Sequence, residues 1–290
     1  MLSLLRQTLP FHPIRRTLID SFSHRVLTPQ RPTVISKGPV KVVMHNSGGL
    51  QAQLKNNLYK PLIDQQRPDV ICLIETRCTV EKWYRVEKFL EGWGYKATYS
   101  PAKLTSKTGR SGGLAFLYPN DVGWTDVRAK RPDFTSRIAA EGLHVTATRD
   151  GVQRHIVLIY IWPGQPEKTV RAYLGDVCRE FNGPNTIITG DFNIQKAAVE
   201  DTIRISGMIP VFPPGMDTNY HSKGNTDIDY LICSRDILVK KRDAVQPPYN
   251  PGRKHFHKML YAELKFADSS GYTAGVRLET ADRIAIPYFY

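Results

Sequence analysis

The sequence predicts a mixed-sheet α/β sandwich in one domain, and three observations predict it. Short apolar runs of strand character recur from Val40 to Lys265. Helical patterns fall between some of these runs, and the two kinds of segment mix without strict β–α–β alternation, which argues against a doubly wound parallel sheet. With 290 residues, 41% of them hydrophobic and 10% aromatic, the chain can bury a sizeable core.

The elements follow in order. After the Pro-rich break near Gln30–Pro32, "PVKVVMHN" reads as a buried strand, and "LQAQLKNNLYKPLIDQQ" has helix-like spacing. "RPDVICLIETR" is a strand opened by a Pro-Asp turn. Apolar residues at i, i+3 and i+4 and a closing glycine make "TVEKWYRVEKFLEGWG" a helix. Four strand-like runs come next, "GYKATYS", "GGLAFLY", "RIAAEGLHVTATR" and "RHIVLIYIWP", separated by Gly, Asp and Pro turns. "EKTVRAYLGDVCREFN" is an amphipathic helix, and the strands "TIITGD", "TDIDYLIC" and "KMLYAELKF" complete the series. These elements place the domain at residues 38–266, between a basic extension at 1–37 and a tail at 267–290. The tail lacks strong periodicity, although its aromatic end "IPYFY" could dock on the body.

Bulk properties exclude some classes. No stretch reaches the roughly 18 consecutive apolar residues of a membrane-spanning helix. Cys72, Cys78, Cys178 and Cys233 show neither CxxC spacing nor histidines at zinc-site distances, so they read as buried thiols in a reducing compartment. The net charge of +13 is unevenly spread. Residues 1–63 hold nine Lys or Arg against Asp20 alone, whereas the remainder holds 31 basic and 26 acidic residues. The basic character therefore says more about the extension than about the core's partner. Nearly acid-free, Arg- and Ser-containing and with leucines at helical spacing, that segment resembles a mitochondrial transit peptide. The alternative is a basic arm that binds RNA or a partner protein.

Several strands end in polar groups. "VVMHN" ends at Asn46, "VICLIE" at Glu75 and "TIITGD" at Asp191, with Asn193 two residues on. Burying such groups without partners costs several kcal/mol, roughly, so they are expected to converge at a sheet rim. Two carboxylates about 4 Å apart repel by roughly 4 kcal/mol at an effective dielectric of 20. A hard divalent cation removes that penalty, and oxygen ligands suit Mg²⁺. Each element alone has an ordinary reading: a turn with a helix cap at Gly190–Asn193, a surface ion pair between Glu75 and Arg77, core packing for Tyr160 and His257, a strand-edge position for Asp229.

Their order carries more. "HNSGGL", "PDVICLIET", "RSGGLAFLY", "IYIWP", "ITGDFN", "GNTDIDYLICS" and "HFHKMLYAEL" stand in an order and spacing that resemble the endonuclease/exonuclease/phosphatase superfamily, from about Val40 to Leu264. The resemblance implies a four-layer α/β sandwich, two mixed β-sheets packed face to face with flanking helices. It also implies roles. Glu75, supported by Asn46, would hold Mg²⁺ or Mn²⁺. Asp191 would orient or deprotonate the attacking water, and Asn193 would steady phosphate and nucleophile. Tyr160 would contact a phosphate oxygen, and His257, held by Asp229, would present positive charge or a donor to the phosphate.

One position departs from the pattern. The last motif of the superfamily reads Ser-Asp-His, and here the matching residues are His255-Phe256-His257. An apolar ring cannot bind a cation or orient a water. Either the enzyme works with fewer carboxylates, assisted by Asp227 from the same strand face as Asp229, or the site has decayed and the fold serves as an RNA-binding or structural subunit of a mitochondrial ribonucleoprotein assembly. Upstream of His257, Lys240, Lys241, Arg242, Arg253 and Lys254 form a basic stretch apt for a polyanionic backbone, or else a solvated loop. Trp162 could stack on a base or pack in the core. The expected activity is Mg²⁺-dependent phosphodiester cleavage in DNA or RNA. Small phosphoesters or inositol lipids are a weaker alternative that no residue here selects.

Overall fold

Branched and aromatic side chains at alternate positions make an extended chain with one face to each side, and the fold sorts these faces into layers. The structure is a computed structural model that describes residues 38–105, 109–132, 138–211, 217–220, 226–245 and 256–267. The extension at 1–37, residues Arg253, Lys254 and His255, and the tail beyond Ala267 lie outside the described residues. In chain order the elements are β1 (Val40–Asn46), α1 (Leu50–Lys55), α2 (Lys60–Gln66), β2 (Val70–Ile74), α3 (Val80–Gly92), β3 (Tyr95–Ser100), β4 (Lys103–Leu104), β5 (Arg110–Ser111) and β6 (Leu114–Pro119). Then come β7 (Thr125–Lys130), β8 (Ala140–Arg149), β9 (Val152–Ile161), α4 (Glu167–Glu180), β10 (Thr186–Asp191), α5 (Lys196–Ile205) and β11 (Ile209–Val211). The last are β12 (Asn219–Tyr220), β13 (Asp229–Cys233), β14 (Leu238–Val245), β15 (Phe256–His257) and β16 (Met259–Lys265).

Two six-stranded sheets result. One runs β14-β16-β1-β2-β6-β3 and the other β11-β13-β10-β9-β8-β7. Each is mixed. β1 and β2 are parallel in the first, β10 and β9 in the second, and the other neighbours are antiparallel. Val40, Val42 and Met44 of β1 share an interior with Leu143 and Val145 of β8, so the sheets pack face to face. The other face of the first sheet, with Val43 and Leu73, is covered by α1 to α3 through Leu50, Leu54, Trp83 and Leu90. The other face of the second, with Val157, Ile159 and Ile188, is covered by α4 and α5 through Leu174, Val177, Val199 and Ile203. This is the expected four-layer α/β sandwich of two mixed sheets and flanking helices. All four cysteines are buried free thiols.

Local physics explains where elements differ from expectation. The helical-looking run from Leu50 to Gln66 is two helices, because Asn57 takes a left-handed φ of 52° and Pro61 lies in the first turn of α2. Asparagine tolerates that conformation, and proline belongs at a helix start, where its missing N–H costs nothing. Of the elements that went unpredicted, the three longest are α5, β7 and β14. In α5 the only strongly buried residues are Val199 and Ile203, one turn apart. β7 is largely exposed. β14, which contains Lys240, Lys241 and Arg242, is an edge strand with a bulge between Val239 and Lys241. Lysines and bulges are how edge strands avoid pairing with other chains, and they break the apolar alternation by which strands are read.

The second sheet also carries an acid-sensitive pair. His144 Nε2 lies 3.1 Å from His155 Nδ1, and His144 packs edge-on against Phe181 beneath α4. Burial first, then the neighbouring His155 and Lys130 charges, push His144 down to about 4. A histidine kept neutral in the fold contributes its full stability above the unfolded value near 6.5, and that stability is lost as pH falls from there toward 4. Urea unfolding at pH 7.5, 5.5 and 4.5 is expected to show a loss on the order of 2–3 kcal/mol, reduced in His144→Leu. An acid limb unchanged in that variant would refute the assignment.

Candidate active site

The site is built at one rim of the inter-sheet interior, and strand register assembles it. Asp191 ends β10 directly opposite Tyr160 of β9 on one side and Asp229 of β13 on the other, and Tyr160 lies opposite Glu141 of β8. Register partners project to the same face at about 4.8 Å spacing. Glu141, Tyr160, Asp191 and Asp229 therefore form a rank across four adjacent strands, on the face that Tyr160 shares with the apolar interior. From the opposing sheet, Asn46 ends β1 and Glu75 immediately follows β2, with β2 packed across from β9 and β6 across from β8.

The rank requires Gly190. A Cβ there would overlap the Ile159 carbonyl oxygen, so only glycine lets β10 run this close to β9. Past the strand, Asn193 takes a left-handed φ of 49° and turns its N–H back onto Asp191 Oδ1 at 3.1 Å, while its Nδ2 donates to the Ile161 carbonyl at 2.7 Å. The other Asp191 oxygen, Oδ2, accepts from Asn46 Nδ2 at 2.8 Å, and Asn46 Oδ1 accepts from the Gly48 N–H at 3.0 Å. Both Asp191 oxygens are thus fixed by donors from separate segments. Asn46 orients Asp191, and its carbonyl oxygen keeps a second lone pair.

His257 completes the cluster. Its Nδ1 lies 2.8 Å from Asp229 Oδ2, and its backbone carbonyl lies 3.2 Å from Nε2 of His45, whose Nδ1 meets Tyr59 Oη at 2.8 Å. A carbonyl can only accept, so His45 carries a proton on Nε2, and in the neutral ring Nδ1 accepts the Tyr59 hydroxyl. One ligand-type atom each from Asp191, Asp229 and His257 lie within 4.8 Å of one another, a cluster that could hold a metal ion.

Burial and neighbouring charge set the protonation states. Burial first, then the Asp229 carboxylate, push Asp191 up to about 7, against the opposing pull of His257, the Asn46 amide and the Asn193 N–H. Burial alone would lower His257. The charge and hydrogen bond of Asp229 outweigh it and hold the imidazole up at about 9, so it is cationic at neutral pH. Burial raises the Tyr160 hydroxyl, as do the charges of Glu75 and Asp191.

Glu75 has a left-handed φ of 53°, and so does Arg77 at 52°. Its carboxylate, 13% exposed, receives Arg77 Nη2 at 2.6 Å and Nε at 3.1 Å, both on Oε1. Among the described residues, two buried carboxylate oxygens, Asp229 Oδ1 and Glu141 Oε1, have no hydrogen-bond partner. Unpartnered buried anionic oxygens in a hard-oxygen donor set fit a divalent cation.

Other expectations fall elsewhere. Asp227 precedes β13 and pairs with Lys196 Nζ of α5 at 2.9 Å. Its backbone carbonyl also accepts the Lys196 N–H at 3.2 Å, so both ends of Asp227 are engaged by the start of α5. The strand begins only at Asp229, and the alternation rule does not reach back to residue 227. Lys241 lies opposite Glu263 and Arg242 opposite Ala262, back along β16 from its Met259 end, with Lys240 in the bulge. Half-buried Trp162 packs against the inner core beside Tyr160. Phe256, half-buried, pairs with Tyr220 across the short β12–β15 ribbon. Glu141 and His45 were not read as site residues. A carboxylate at Glu141, in alternation with inward Leu143 and Val145, was the available signal.

The fold belongs to a known class. The family model described as the endonuclease/exonuclease/phosphatase family matches residues 45–251, and the chain belongs to that family. No curated protein sequence matches the chain. Among solved structures it is similar to a 3′ phosphatase, NExo, from Neisseria bound to a product DNA hairpin, at 17% identity and TM-score 0.58, covering 79% of this chain and 99% of that one. It is similar to the human Nocturnin catalytic domain with a bound sulfate anion, at 17% identity and TM-score 0.59, covering 79% and 94%. It is also similar to TDP2 of D. rerio complexed with a single-strand DNA product, at 14% identity and TM-score 0.59, covering 78% and 98%. At these identities the structural likeness is one of fold.

Proposed function

We propose that the protein is a divalent-cation-dependent phosphodiesterase that cleaves a nucleic-acid backbone. The observation that carries this reading is the convergence, from four separate strands, of two hydrogen-bonded pairs, Asn46–Asp191 and Asp229–His257, with ligand-type atoms of Asp191, Asp229 and His257 within 4.8 Å of one another. Two structural neighbours are described with DNA in place, which supports a nucleic acid as the substrate. The nearly acid-free residues 1–37 support import into mitochondria.

Asp191, held by Asn46 and the Asn193 N–H, orients a water and takes its proton as the water oxygen bonds to phosphorus and the bond to the leaving oxygen breaks. His257, kept cationic by Asp229, faces the charge that builds on the phosphate, and Tyr160 presents a hydroxyl from the next strand. Glu75, with Asn46, would hold the cation; Mg²⁺ suits these donors, and when bound it supplies positive charge to the non-bridging oxygens. The preorganised donors around Asp191 supply the positioning that phosphodiester hydrolysis requires.

A second reading rests on its own observations. Phe256 replaces the carboxylate expected from the superfamily pattern, Asp227 is committed to Lys196, and Arg77 covers Glu75. In that reading the chain is a catalytically impaired RNA-binding or structural subunit of a ribonucleoprotein assembly. Incubation of the purified protein with nicked, abasic and single-stranded DNA and with RNA, in Mg²⁺ or EDTA, separates the two. Cleavage in Mg²⁺ that EDTA abolishes is the expected result. No metal-dependent cleavage of any of these substrates, with RNA or partner subunits co-purifying, would establish the second reading instead.

A further inference from the structure

The family pattern leaves this site one carboxylate short at Phe256, and the same rim carries a further buried carboxylate on another strand. Glu141 is 7% exposed and lies in the rank beside Tyr160, on the sheet that faces Glu75 across the rim. Its Oε2 accepts the Gly113 N–H at 2.8 Å, whereas Oε1 is buried and has no hydrogen-bond partner among the described residues. Half-satisfied buried carboxylates are costly. The surroundings nonetheless accommodate this one closely, since a Cβ on Gly112 would collide with the Glu141 carboxyl group.

We infer that Glu141 supplies a carboxylate oxygen, together with Glu75, to the divalent cation of this site, in place of the one lost at Phe256. The inference rests on the cation-dependent reading above and deepens it. The backbone shows how the two carboxylates are brought together. Gly113 and Gly112, at φ 87° and 72°, accept hydrogen bonds through their carbonyls from the Thr76 N–H at 2.9 Å and the Arg77 N–H at 3.0 Å. The turn that Glu141 holds through Gly113 thus also holds the left-handed segment that carries Glu75. A cation held by the two acids would satisfy Oε1. Glu141 is about two strand spacings, or roughly 10 Å, from Asp191, so this donor acts apart from the residue that handles the water.

The test is Mn²⁺ binding by calorimetry and Mn²⁺ paramagnetic resonance, with thermal unfolding, on wild type, Glu141→Gln and Glu75→Gln. Glutamine keeps an acceptor for the Gly113 N–H and the side-chain volume while removing the charge. Metal-free Glu141→Gln is expected to melt at or above the wild-type temperature and to bind Mn²⁺ at least about tenfold more weakly, losing the thermal stabilisation that Mn²⁺ gives the wild type. Wild-type-like Mn²⁺ affinity in Glu141→Gln alongside weakened affinity in Glu75→Gln would overturn the role of Glu141 and leave the proposed function standing. A wild type that binds no Mn²⁺ would overturn the cation-dependent reading itself. If Glu141→Gln does not fold, Glu141→Asp keeps the charge but withdraws the carboxylate by one methylene. The same loss of binding is expected there, and unchanged affinity overturns the inference.

Discussion

Asp191→Asn is expected to lower metal-dependent phosphodiester cleavage by about 10³-fold, within the range for loss of a positioned general base, while the protein stays folded. The asymmetry follows from the environment. Both Asp191 oxygens accept hydrogen bonds, from Asn46 Nδ2 and the Asn193 N–H, so an asparagine amide turns one NH₂ toward a donor and loses one bond. That costs roughly 1–3 kcal/mol. The substitution also removes a fully buried charge standing beside the Asp229 carboxylate, which offsets part of the loss. Chemistry has no such compensation, because an amide cannot take the proton of the attacking water. The measurements are turnover of the best substrate in saturating Mg²⁺ and the thermal midpoint of the same preparations. Turnover within tenfold of wild type would remove Asp191 from the reaction, and with it the proposed mechanism.

Gly190→Ala is expected to destabilise the fold by about 3 kcal/mol or more, at or beyond the upper end for overpacking. The new methyl meets the Ile159 carbonyl oxygen, a backbone atom in the adjoining central strand, and not the movable end of a side chain. Relief requires β9 and β10 to separate, which breaks the register that aligns Tyr160 with Asp191. Gly92→Ala is the control. It closes α3 with nothing within 4 Å of its added Cβ and without a positive φ, so the same exchange there should be neutral or stabilising by a few tenths of a kcal/mol, roughly. Urea unfolding of both variants checks this. Equal stabilities would show that β9 and β10 can yield, and that Gly190 is not held by close packing.

Much of the fold was legible because its signals are local. Alternating or continuous runs of Val, Ile and Leu marked β1, β2, β9, β10 and β16, and the buried Trp83, Val86 and Leu90 of α3 sit at helical spacing. Elements whose stability comes from the sheet they join were not legible. β14 carries Lys240, Lys241 and Arg242 and is held by pairing with β16; β7 is exposed and held by β8. The break between α1 and α2 was written in Asn57 and Pro61, but the surrounding apolar spacing obscured it.

The site divides in the same way. Asn46, Asp191 and Asn193 could be singled out because polar residues closing an apolar strand demand partners, and the order of the motifs pointed to His257 and Asp229. The chain alone determined which side chains carry chemistry and that they end strands. Which of them meet was decided by register and sheet packing, quantities set by contacts between residues far apart in sequence. Register put Glu141 in the same rank as Tyr160, Asp191 and Asp229. The start of β13 at Asp229 turned Asp227 away toward Lys196, and the Gly112–Gly113 turn fixed Glu75 in a left-handed conformation that its own sequence disfavours.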